Sequence, residues 1–207
     1  MSSTQITVVV PRLWDALRAL VASFGPTWPG RAAWERVLGR GSVESCGQSD
    51  LERTILAAAG IADDPTRDCP VAVFSRIADG VSVDGGFWMR ADPVSLRADR
   101  DQLLLVNWDL DDLDAQIAQS LAQRLIPLFD PMGWRLFAPT PQRWYVVAPA
   151  DLQVRTFAPQ PCMGASIQDR LPFGRDAAVL RRLLTEVQMT LHMAPENNTR
   201  SEQGLPV

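Results

Sequence analysis

At 207 residues, with 46% hydrophobic and 21% charged side chains, the chain is long enough to bury a core and too apolar to be disordered throughout. Its 20 basic residues are all arginine and face 24 acidic ones; the net charge of −4 argues against bulk attraction to nucleic acid or to an anionic membrane. No apolar run approaches the ~18 residues a membrane span needs.

The N-terminus, "MSSTQITVVVPRLW", lacks a basic stretch followed by an apolar core, so it does not read as a signal peptide. Cys46, Cys69 and Cys162 are odd in number and far apart, which fits a reducing cytoplasm and gives no metal spacing. A cytoplasmic location is therefore expected.

In chain order, "QITVVV" (5–10) is expected as a short strand closed by Pro11. Leu13, Leu17, Leu20 and Val21 then recur at helical spacing, with Pro11 suited to a helix start. "FGPTWPG" breaks the chain, and "RAAWERVLG" predicts a second helix. In "SDLERTILAAAG", Ser49 and Glu52 form a capping box and Gly60 sits where a C-terminal cap belongs. Residues 62–70 are a polar connector.

After Cys69 the period changes. "PVAVFSRIAD", "GGFWMRAD" and "DQLLLVNW" read as strands, and the glycines of "DGVSVDGG" as a hairpin turn. "DLDDLDAQIAQSLAQRLIPLF" predicts an amphipathic helix whose apolar face carries Leu110, Leu113, Ile117, Leu121, Leu125 and Leu128. "GWRLFAPT" and "RWYVVAP" predict two more strands, and 150–175 is irregular. "DAAVLRRLLTEVQMTLHM" is the last helix, before a polar tail, "ENNTRSEQGLPV". Helices followed by strands mixed with helices imply an α+β fold with a mainly antiparallel sheet. The expected parts are a helical region over 1–68, an α+β core over 69–195 and the tail over 196–207, forming one globular unit.

Few residues are suited to catalysis. His192 is the one histidine; a zinc site needs three or four ligands, and a lone histidine beside an apolar face is more simply a packing or hydrogen-bonding residue. Asp109, Asp111, Asp112 and Asp114 offer Mg²⁺ a weak site, with Asp109 and Asp112 the candidates. Aspartates at a helix start equally cap its N–H groups and complement its dipole. There is no Gly-x-Ser-x-Gly elbow and no lysine-bearing phosphate loop. No cofactor is expected.

"GFWMRADPVSLRADRDQLLL" (85–104) concentrates tryptophan, arginine and aspartate. Strand alternation puts Phe87, Met89 and Ala91 on one face, toward a core, and Trp88, Arg90 and Asp92 on the other. Arg97, Asp99, Arg100 and Asp101 fill the connection that follows. Two readings stay open. In one, the charges pair with each other and tie the loop to the strand. In the other, Arg90 and Arg97 clamp a carboxylate or phosphate, Trp88 stacks on it and Asp92 orients Arg90.

The same stretch, with "TEVQMTLHMAPENNTRSEQGLPV", resembles a bacterial family labelled regulatory protein, RpfE type, over roughly residues 70–207. The matching pieces are Trp88–Val94, Arg100–Leu105, Glu186–His192 and an Asn-Arg-Gly-x-Pro pattern at Asn197 or Asn198, Arg200, Gly204 and Pro206. Family members continue into a tryptophan-rich segment, so the resemblance implies a short form or a fragment. Many members also carry the label cofactor-independent phosphoglycerate mutase. The metal-dependent mutase needs two metal ions on several histidines and aspartates plus a serine nucleophile, and the other class needs an Arg-His-Gly motif. A single histidine in "TLHMA" builds neither.

The expected protein is thus a non-catalytic regulatory or binding module. Its candidate surface is Trp88, Arg90, Asp92, Arg97 and Arg100, with His192 and Arg200 as further contributors. The ligand is a small anion or a protein partner, a second copy of the chain included. The alternative is an enzyme acting on a phosphorylated small molecule.

Overall fold

The computed structural model describes residues 8–10, 13–28, 30–43, 51–62, 64–107 and 110–205. Among them are seven α-helices and two antiparallel sheets, an α+β fold, divided between two units, Met1–Asp63 and Asp64–Val207. Cys46, Asp109 and Pro206 lie outside the described residues, as do Pro11, Ser49 and positions 5–7 of the expected first strand; residues 8–10 belong to no strand.

The first unit contains α1 (Leu13–Phe24), α2 (Arg31–Arg40) and α3 (Leu51–Ala58). Leu13, Leu17 and Leu20 sit three or four residues apart and are half-buried, and Trp28 in the connection to α2 is buried. None of the three helices has a fully buried residue. Leu17, Val21, Trp28, Trp34 and Leu38 line an apolar groove of about 280 Å³ between α1 and α2.

The second unit is built on a three-stranded antiparallel sheet, ordered β1 (Phe87–Arg90), β5 (Arg143–Ala148), β4 (Arg135–Thr140). Phe87, Met89, Trp144, Val146 and Ala148 face α5 (Ala115–Phe129) and α6 (Ala177–His192). Leu121 and Leu125 of α5 and Leu180 and Leu183 of α6 close that core. Each such buried side chain contributes about 1.5–3 kcal/mol. Asp114 is the α5 N-cap: its carboxylate accepts the N–H groups of Gln116 and Ile117 at 2.8 and 3.2 Å. The helix thus begins after Leu110 and Leu113, which are buried in the preceding turn.

"PVAVFSRIAD", expected as a strand, is instead the helix α4 (Val71–Ala78), which covers the other face of this sheet. A short apolar run fits either period, and here Ala72, Val73 and Arg76, one helical turn apart, point down to the sheet. Gly80, at φ 75°, ends the helix: its N–H reaches the Ile77 carbonyl and the Val81 N–H reaches that of Arg76, a Schellman pair. "DGVSVDGG" is therefore a helix cap and a connection, not a hairpin turn. At its end Gly86 passes so close to β5 that a β-carbon would sit 2.6 Å from Val147 Cγ1.

A separate hairpin joins β2 (Ser95–Asp99) to β3 (Gln102–Asn107), with Arg100 at φ 54° in its turn. The polar tail also departs from expectation. Pro195–Glu202 form α7, with Pro195 in the first turn, where its missing N–H costs nothing. Asn197 Nδ2 donates to the Leu191 carbonyl at 2.8 Å, and Arg124 donates to Glu196 at 3.0 Å. No helix among the described residues is long and apolar enough to cross a membrane.

Candidate functional site

The strand β1 alternates as expected, but both of its faces are covered. Trp88 is 5% exposed beneath α4, stacked on Phe137 at 5.8 Å between ring centroids and edge-on to Tyr145 at 6.3 Å. Its indole N–H donates to the Asp84 carbonyl at 3.1 Å. Buried, stacked on one ring, edge-on to another and with its polar handle engaged, Trp88 is a packing residue rather than an open platform.

Arg90 lies at the exposed end of the strand. Its Nε donates to Asp92 Oδ1 at 3.1 Å and its Nη2 to Oδ2, a two-point contact, while Nη1 reaches Ser75 Oγ at 3.3 Å. Asp92 Oδ1 also accepts the Trp144 backbone N–H at 2.9 Å. Asp92 therefore both orients Arg90 and fastens the end of β1 to β5.

The remaining candidates fall elsewhere in the second unit. Arg97 is on β2 of the two-stranded sheet and Arg100 in its turn; both are exposed, and neither side chain makes a hydrogen bond or ion pair with the described residues. Arg90 and Arg97 thus belong to different sheets. His192 ends α6 and is exposed. Arg200 is buried within α7 and donates to Asp112 Oδ2 at 3.0 Å and to the Asp112 carbonyl at 3.3 Å. Asp112 and Asp114 are thereby occupied in structural contacts. Among the described residues, no group of three His, Cys, Asp or Glu side chains is disposed to hold a metal ion.

The side chain that sequence reasoning missed is Arg76. Its guanidinium carbon lies 5.2, 5.7 and 5.9 Å from the ring centroids of Tyr145, Phe137 and Trp88, contributed by three different strands. The residue is 8% exposed. Its Nε is sealed from solvent without an acceptor, and its terminal nitrogens have no hydrogen-bond or ion-pair partner among the described residues.

The neighbouring arginines differ. Arg90 lies over Tyr145 and pairs with Asp92; Arg135 lies over Phe137 and pairs with Asp84 at 2.6 Å; Arg143 pairs with Asp79, also at 2.6 Å. The Tyr145 hydroxyl donates to Asp79 at 3.1 Å. Burial, then the Asp79 carboxylate, push its pKa above the ordinary 10.0. This group sets four guanidinium charges against three carboxylates and leaves one positive charge, on the most buried arginine.

That arrangement has an energetic consequence. Withdrawing a charge from water costs several kcal/mol even after relaxation. Cation–π contacts return about 2 kcal/mol when desolvated. The rings offset part of the cost, and an anion at the terminal nitrogens would offset more. The signal for this lay in the spacing of Ala72, Val73 and Arg76; reading the segment at strand period hid it.

Comparison with known proteins gives no match: no family model, no curated protein and no solved structure is similar to this chain.

Proposed function

We propose that the chain is a non-catalytic regulatory or binding module of the RpfE type, and that it takes its ligand on the face where α4 crosses the three-stranded sheet. The observation that carries this reading is Arg76: a nearly buried guanidinium, set among three rings, with no carboxylate of its own. Around it the other three arginines are positioned by aspartates, so the polar groups on the sheet side of this face are already directed. Pre-organisation of this kind lowers the entropic cost of binding. A cytoplasmic location accompanies the reading, supported by an odd number of cysteines and a buried Cys162 thiol bonded to the Ala158 carbonyl.

A thermal-denaturation screen of the purified chain tests it. The panel holds organic acids, phosphorylated metabolites, nucleotides, divalent metals and neutral sugars. At least one anionic class raises the midpoint in a saturable way. A flat response to every class from a well-folded protein overturns the reading.

A further inference from the structure

We infer that Arg76 anchors a site for a singly charged organic carboxylate, bound end-on at Nη1 and Nη2. This rests on the binding-module reading above and names the ligand chemistry of that same face. Three observations select it. The Nε edge of the guanidinium is sealed, whereas neither terminal nitrogen is sealed in that way; the end of the fork is the edge left to an incoming anion. Two parallel N–H donors at that end match the two oxygens of a carboxylate.

The second observation is charge. The face lacks a single negative charge, and Asp79, Asp84 and Asp92 surround it. A carboxylate balances the surplus. A phosphate dianion would bring a second charge into the field of three fixed carboxylates. The third is the setting: Val73, Val83 and Phe137 are half-buried and pack on the Trp88–Tyr145 cluster against which Arg76 lies. Apolar surroundings suit an anion carrying an alkyl or aryl substituent over a fully hydrated inorganic ion.

Benzoate is the probe, with uncharged benzamide and inorganic phosphate as comparisons at matched ionic strength. The proteins are the wild type, R76M, R76K and R182M, the last altering an exposed α6 arginine. Benzoate is expected to raise the melting midpoint of the wild type and R182M and not that of R76M, whose affinity falls about ten- to hundredfold. R76K retains part of the response. In ¹⁵N spectra of the wild type, the Arg76 Nε–H resonance, assigned by its absence from R76K, moves along the same saturation curve.

An equal benzoate response in R76M overturns the assignment to Arg76. So does an Arg76 resonance that stays still while benzoate stabilises the protein. Benzamide acting like benzoate, or phosphate saturating at lower concentration, overturns the carboxylate class. Should R76M fail to fold, R76K and the wild-type resonance decide. A response to some other ligand class with none to benzoate ends this inference and leaves the binding module standing; no response to anything ends both.

Discussion

Arg200 and Asp112 meet across 88 residues of chain: the guanidinium, 2% exposed, donates to the aspartate's side chain and to its carbonyl. The contact fastens α7 to the turn that precedes α5. Replacing Arg200 with methionine leaves the Asp112 carbonyl and carboxylate short of a donor while keeping most of the volume. Because Asp112 remains partly exposed, the expected loss is about 2 kcal/mol, below the range for breaking a fully buried pair. Urea unfolding of R200M against the wild type measures it, and a change under about 0.5 kcal/mol would count against α7 as an integral part of the fold.

Glu196, on the same helix, accepts from the Ser120 hydroxyl and from Arg124. Those contacts, the serine first, hold its pKa down to about 2 from the ordinary 4.5. A depressed carboxylate pKa adds stability above the unfolded value and loses it as pH falls through the folded one. Wild type should therefore exceed E196Q by about 1–2 kcal/mol at neutral pH, after allowance for solvent at Arg124. The difference should shrink between pH 4.5 and about 2. Denaturant midpoints of the two proteins across that range give the slope directly.

Tyr145 is the one tyrosine of the chain, so absorbance of the phenolate reports on it alone. Its ionisation midpoint should lie above 10.0, because burial and the Asp79 carboxylate both disfavour the phenolate. A raised folded pKa contributes stability at pH values below the unfolded pKa and loses it as pH rises through the folded value. D79N should lower the midpoint, since it removes both the hydrogen bond to the carboxylate and the carboxylate's charge while Arg90 and Arg143 still favour the phenolate. A midpoint at or below the ordinary value in the folded wild type would contradict the placement of this ring.

Trp88 separates packing from ligand stacking. Truncation to alanine should cost about 3–5 kcal/mol, the range for removing a large aromatic from a core, and W88F about 1–2 kcal/mol. If W88A unfolds at the wild-type denaturant midpoint, the ring is not the core residue its 5% exposure indicates.

What the sequence disclosed followed the range of the interactions involved. α5 was legible because its cap, Asp114, and its leucine spacing are local. The pairing of Arg90 with Asp92 spans two residues and was equally visible. α4 was not: eight residues with valines and a phenylalanine suit either period, and only the sheet beneath decides between them. α7 was hidden for a related reason. Its residues are polar, and its anchors, Asp112 with Arg200 and Arg124 with Glu196, join positions 88 and 72 residues apart. The candidate face followed the same division. Alternation along β1 was correct, but what lay over Trp88 depended on the misread α4, and Arg76 went unseen with it.

β5 lies between β1 and β4, and Trp144 through Ala148 are buried on both of its faces. Its amides should be among the slowest in the second unit to exchange with deuterium. α4, two turns long with Phe74, Ile77 and Ala78 in solvent, lies at the other extreme. A fluctuation that lifts this helix would uncover three rings and withdraw Arg76 while the strands stay paired. Order at the binding face and integrity of the sheet are thus separable, and the first can be lost while the second persists.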